Sequence, residues 1–212
     1  MSNKPSPSLA KIVKIEPLST EEAKWTTLSK ITYLDPTGKE RIWESASRPT
    51  RPNGSDIDAV VIIAILKDSK NPSIEPKILL EKQFRPPTEG VAIEFPAGLV
   101  DPGESLEITA LRELKEETGY VGEVISKTPI LWADPGFCST NSSIVTIHID
   151  LNEKINQNPI NQLEDGEFIE TFAVPLKSFV QELTKLVEDG YKIDARVQNI
   201  AQGIQLAQQF NL

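Results

Sequence analysis

The most constraining stretch of this chain is residues 98–120, GLVDPGESLEITALRELKEETGY. It sets four carboxylates, Glu104, Glu113, Glu116 and Glu117, in one loop–helix unit. Asp101-Pro102-Gly103 signals a turn, Ser105 is a natural N-cap, and Gly119 suits the left-handed residue that ends a helix. The spacing predicts a helix over 106–118, with Ile108, Leu111 and Leu114 facing the core. Glu113, Glu116 and Glu117 are related by i+3 and i+4, so their carboxylates share a face. Like charges so placed cost roughly 0.2–0.5 kcal/mol per pair, and something must offset that. Arg112 reaches Glu116 at i+4. A solvated acidic face is one reading; a site for a hard cation, Mg²⁺ or Mn²⁺, is the other, because oxygen ligands suit these ions.

Composition narrows the classes of function. The chain has 212 residues, enough for one domain with a sizeable core and an accessory element. Acids outnumber bases 31 to 22, for a net charge of −9, which disfavours nucleic acid as a partner. The longest apolar run, residues 59–66, is too short to cross a bilayer, so no membrane partner is expected. Cys138 is the only cysteine and rules out an intrachain disulfide. A reducing compartment is expected, the cytoplasm first, with nucleus and mitochondrion open. His148 is the only histidine, which removes Ser-His-Asp and Cys-His mechanisms and a His-rich zinc site.

In chain order, residues 1–10 are rich in Ser and Pro and read as disordered. Residues 11–57 read as an N-terminal β element. It comprises a short strand at 11–17, a strand at 25–34, a turn at Asp35-Pro36-Thr37-Gly38 and a return arm at 41–46. A Pro- and Arg-rich loop then leads into the main domain, 58–212. There, AVVIIAIL at 59–66 is a continuous apolar run and a central strand. Strands follow at 77–84, 91–95, 122–126, 130–133, 144–151 and 167–174. Residues 152–166 form a long polar loop. Apolar stripes predict two closing helices, one with Leu176, Phe179, Val180, Leu183, Leu186 and Val187 inward, the other capped by Asp194. The expected class is α/β: an α/β/α sandwich on a mixed sheet, preceded by the antiparallel β element.

The acidic stretch resembles a complete Nudix box. Gly98, Glu104, Arg112, Glu113, Glu116, Glu117 and Gly119 all stand at its fixed spacing. At about 6–7% usage per residue type, seven such matches at one start position arise by chance on the order of 10⁻⁸. The flanks are similar to the eukaryotic ADP-sugar (ADP-ribose) pyrophosphatase branch of the Nudix hydrolases. They include KQFRPP at 82–87, EFPAGLVD at 94–101, WES at 43–45, DPG at 134–136, DGEF at 165–168 and DARV at 194–197.

The resemblance implies Mg²⁺- or Mn²⁺-dependent hydrolysis of ADP-ribose and related ADP-sugars to AMP and ribose 5-phosphate. It implies Glu113, Glu116, Glu117 and the Ala97 carbonyl as metal ligands and Arg112 as the residue orienting the glutamates. Glu104 braces the loop, and Glu167 is the general base on a lid after the 152–166 loop. Trp25 and Trp43 sandwich the adenine across a homodimer, with Glu44 beside it. Arg48 and Arg85 meet the phosphates, and Asp134 lies near the terminal ribose. His148 and Cys138 are expected to be structural. Two alternatives stay open: a broader nucleoside-diphosphate-sugar or oxidised-nucleoside-diphosphate hydrolase, and a non-catalytic module that binds ADP-ribose.

Overall fold

The computed structural model describes residues 5–211. Strand β1 (Thr27–Leu34) pairs antiparallel with β2 (Glu40–Ser47), from Thr27↔Ser47 to Leu34↔Glu40. Asp35 closes the turn, its carboxylate accepting the N–H groups of Thr37 and Lys39. This hairpin forms a sheet of its own, apart from the main sheet.

Strand β3 (Ala59–Lys67) is the apolar run, and both of its faces are covered. Val60, Ile62, Ala64 and Leu66 pack with Ala110 and Leu114 of α1 (Leu106–Thr118). On the other face Val61 packs with Phe179 and Leu183 of α2 (Phe179–Glu188) and Val197 and Ala201 of α3 (Ala195–Phe210). Fully burying a Val, Leu, Ile or Phe side chain among them contributes about 1.5–3 kcal/mol. A strand covered on both faces reads as unbroken hydrophobicity, and helices on both sides make the α/β/α sandwich.

The nine-stranded sheet is mixed. Along one edge β3 runs parallel to β9 (Asn141–Asp150). Along the other it meets β4 (Lys77–Arg85) only at Ile65↔Ile78 and Leu66↔Lys77. From there the two strands part. Strand β5 (Gly90–Glu94) pairs with β4, and β6 (Ala97–Leu99), which follows it in the chain, pairs with Ala59 to Val61 at the start of β3. The wedge so opened faces α1 and holds the acidic side chains. Strand β7 (Glu123–Lys127) and β8 (Leu131–Trp132) pair with β9, and β10 (Ile169–Pro175) pairs with the outer edge of β4. The short β11 (Lys192–Ile193) runs parallel to β5.

Several expectations are corrected. Residues 11–17 form no strand. Pro7–Leu9 form a 3₁₀ turn with Pro7 buried, where disorder was expected; residues 1–4 of that stretch lie outside the described residues. Trp25 sits in a bend before β1, not in the strand. Strands β6 and β11 carry too few residues to show a period. On α1, Leu114 is buried, but Ile108 is 56% exposed and Leu111 is also exposed. The buried face runs through Ala110, Leu114 and Glu117 instead. At 100° per residue Ile108 stands about 160° from Ala110, so a helix that turns its glutamates toward β6 must turn Ile108 out. Val187 of α2 is likewise exposed.

Candidate active site

Helix α1 begins and ends as its sequence demands. Ser105 accepts the Ile108 N–H, and Gly119 adopts a φ of 76°, its N–H donating to the Lys115 carbonyl. This frame aims Glu113 and Glu117 at the wedge. Glu117 is 5% exposed and accepts the backbone N–H of Ala97 at 3.1 Å. Glu113 lies against Gly98 so closely that a Cβ there would overlap its carboxylate. The box glycine is thus a steric requirement of the acid beside it.

Arg112 organises the rest. It donates to Glu104 at 3.0 and 3.1 Å, to Glu113 at 2.8 Å and to Glu116 at 3.1 Å. A guanidinium can serve three carboxylates because its donors form a planar fork. Glu104 also accepts the Thr109 hydroxyl, which ties the loop to the helix. The Arg112 bonds hold the Glu104 carboxyl below the usual carboxylate range.

The deeper acids go the other way. Burial, reinforced by the Glu113 charge, pushes Glu117 up to about 8. Burial raises Glu113 as well, against the opposing pull of Arg112. Reading the sequence alone misses Glu81. It lies on β4 opposite Glu94 of β5, is 1% exposed, and is raised well above the carboxylate range by burial, then by Glu117 and Glu94. Its signal was available: a single acid inside KILLEKQFR, on the face that Leu79 shares with α1.

Glu167 lies in the turn before β10, its carboxylate accepting the Glu164 N–H at 2.9 Å. Its charge reaches Glu81, Glu113 and Glu117. The 152–166 loop is held to α1, since Gln162 N–H donates to the Glu116 carbonyl at 2.6 Å. Arg85, at the end of β4, pairs with Glu94 at 2.6 Å, and its charge also reaches Glu81 and Glu117.

The other predicted residues form a second group. Trp43 donates its indole N–H to the Gly136 carbonyl at 3.1 Å, and the Gly136 N–H donates to Asp134. Glu44, Ala46 and Phe137 line the same open recess. Ala46 and the Phe137–Ser139 segment exchange backbone hydrogen bonds that stitch the hairpin to this loop. Arg48 is exposed beyond β2, and its charge reaches Asp58. Trp25 is 70% exposed. Ile31 stands opposite Trp43, and the strand then runs about 13 Å to Thr27 before the chain reaches Trp25.

A NUDIX domain model matches residues 57–197, two-thirds of the chain and all of the acidic unit. The chain belongs to the Nudix hydrolase family. This Nudix chain is 52% identical over 210 residues to the ADP-ribose pyrophosphatase of Saccharomyces cerevisiae, covering 99% of this chain and 90% of that protein. It is 41% identical over 177 residues to the ADP-sugar pyrophosphatase of Mus musculus, covering 83% and 79%. The crystal structure of an ADP compounds hydrolase superposes with a TM-score of 0.62 at 20% identity, over 94% of each chain, which shows a shared fold.

The donor set of this Nudix hydrolase fits a divalent cation. The donors are oxygens alone, three of the acids are drawn out of water, and one Glu81 oxygen is buried without a hydrogen-bond partner. Buried carboxylates gathered in this way need compensating positive charge. Among the described residues no three such side chains already converge as a closed ion cage; Arg112 spans Glu113 and Glu116.

Proposed function

We propose that this protein hydrolyses ADP-ribose and related ADP-sugars to AMP and ribose 5-phosphate, with Mg²⁺ or Mn²⁺ held by Glu113, Glu116, Glu117 and the Ala97 carbonyl. The observation that carries this reading is the cluster of buried acids in the wedge between β3 and β4, lined by the full Nudix box. The names borne by the yeast and mouse relatives support the substrate class. A bound cation would neutralise the diphosphate and lower the pKa of a water molecule.

The protein's own groups do the rest. Arg112 fixes the glutamates in register with one another. Arg85 offers a guanidinium at the rim of the acid cluster, the fork that phosphate oxygens take in pairs. Arg48 does the same from the hairpin side. Glu167 accepts the proton lost by the attacking water, and one water is consumed as the diphosphate bridge breaks. The Trp43 recess takes the adenine, with Glu44 beside it, and Asp134 lies toward the terminal ribose.

A homodimer completes that recess. Trp25 lies beyond Thr27, about 13 Å along β1 from the residue opposite Trp43, which favours a second chain as the source of the second indole. Stacking on a base contributes ~1–3 kcal/mol. The exposed Trp25, Leu28, Ile31, Ile42 and Trp43 of the hairpin region are consistent with burial against that second copy.

A substrate panel tests the proposal. ADP-ribose, ADP-mannose, ADP-glucose, GDP-mannose and UDP-glucose are incubated with Mg²⁺ and with EDTA, and nucleotide products are resolved. AMP release from the ADP-sugars, at least tenfold faster than turnover of the others and abolished by EDTA, is the expected result. Equal rates with guanine and uracil sugars would remove the adenine recess from the account. Binding of ADP-ribose without AMP release would make the protein a sensor.

A further inference from the structure

Glu81 has no role in the chemistry above, yet among the described residues it is the most deeply buried acid. Its setting differs from that of Asp58, which is buried to a similar degree. Asp58 accepts two hydrogen bonds from Arg51, at 2.8 and 2.7 Å, and the Asn141 N–H at 2.9 Å. Glu81 leaves Oε2 with no partner at all. A buried carboxylate without compensation costs several kcal/mol, whereas an apolar side chain would suit a buried strand position that follows Leu79 and Leu80. Packing therefore does not explain the acid.

Position does. Strand alternation puts Glu81 on the α1 side of β4, the side that Leu79 shares with the α1 core. Across the sheet it faces Glu94 on β5 and Thr171 on β10. Its strongest charged neighbour is Glu117, and Arg85 at the rim is tied at Nε to Glu94. The side chain thus reaches the wedge from the sheet while Glu113 and Glu117 reach it from the helix. We propose that Glu81 is a further carboxylate of the divalent-cation site, holding the ion from the sheet side opposite the box glutamates. This rests on the cation reading of the previous section and adds to it a ligand from outside the box.

Mn²⁺ binding provides the test, read as the electron paramagnetic resonance signal of the free ion and independent of turnover. The wild type, Glu81→Gln and, as an exposed control on β10, Glu170→Gln are titrated in parallel. Glu81→Gln should weaken Mn²⁺ binding ten- to hundredfold, the range seen when metal-supporting groups are removed, with Glu170→Gln unchanged. In EDTA the Gln variant should also melt higher than the wild type, and it should gain less on Mn²⁺ addition. Wild-type Mn²⁺ affinity in a folded Glu81→Gln protein would overturn the proposal and leave the box site standing. A wild type that binds no Mn²⁺ would instead overturn the cation reading itself. If Gln prevents folding, Glu81→Leu is titrated the same way. Failure of both to fold would make the carboxylate a folding requirement and reject the metal role.

Discussion

At the scale of single residues, the site works by crowding. Gly98 has no side chain because the Glu113 carboxylate occupies that space. Gly98→Ala should therefore fold, since the far end of a flexible glutamate can swing away, but it should lose at least tenfold in AMP release with Tm within ~3 °C of the wild type. That small stability cost follows from displacing one side-chain terminus rather than backbone. Wild-type turnover in Gly98→Ala would show that the position of Glu113 is not critical. Burial has a second consequence, in pH. Glu117 titrates near 8 in the fold and near the ordinary carboxylate value when unfolded. Between those values the folded state holds a proton that the unfolded state has lost, so stability falls as pH rises through the window. Glu113 and Glu81 are shifted in the same direction. One such group lowers Tm by ~3–5 °C per pH unit in a protein of this size. Melts in EDTA should thus drop from pH 5.5 to pH 8, and saturating Mg²⁺ should flatten the drop. A Tm that climbs over this range in EDTA would contradict the assigned shifts.

At the scale of elements, α1 is a brace between the wedge acids and the loop that ends at Glu167. Its C-terminal Gly119 has a left-handed φ of 76°, and a Cβ there would strike the backbone of Ile160. Gly119→Ala meets both penalties, strain and collision with main chain, and neither can relax by a rotamer change. The expected cost is about 2–4 kcal/mol, seen as a Tm lower by roughly 4–16 °C, with AMP release reduced as the 152–166 loop shifts. A Tm within a degree of the wild type would show that this loop is not seated on α1. The same helix shows how far a sequence is legible. Ser105, Gly119 and the acid spacing were readable because caps and i+4 relations are local. Ile108 and Leu111 misled because apolar spacing defines a stripe but not which stripe meets the sheet; Glu113 and Glu117 claimed that side. Glu81 was passed over because a motif-centred reading gives no weight to a lone acid in a strand, and only the β4–β5 register brings it to Glu94. In the Arg51–Asp58–Asn141 clamp, Asp58 and Asn141 stand 83 positions apart in sequence, so it has no local signature. Strand β3, by contrast, was plain from eight consecutive apolar residues, because burial on both faces leaves no polar position to interrupt them.

At the scale of the whole molecule, the hairpin poses the remaining question. Strand β1 is exposed along its entire length, and an isolated two-stranded sheet is marginal in water. Leu28, Ile31, Tyr33, Leu34 and Ile42 all face solvent in the single chain. A second copy would cover them and bring its Trp25 toward the recess around Trp43. The proposed dimer has a signature that no monomer can imitate. In a twofold dimer each site would draw Trp25 from one chain and Trp43 from the other. Trp25→Ala and Trp43→Ala homodimers are then each defective at both sites, with KM for ADP-ribose raised about tenfold or more for loss of one stacking partner. Mixed and allowed to exchange, they form heterodimers in which one site carries both substitutions and the other carries neither. Random exchange restores about a quarter of all sites to wild-type KM, because half the dimers are mixed and each has one intact site. If both tryptophans served the same chain's site, every site in the mixture would keep one substitution and nothing would be restored. Initial rates at low ADP-ribose, before and after subunit exchange, separate the two outcomes without a structure of the complex.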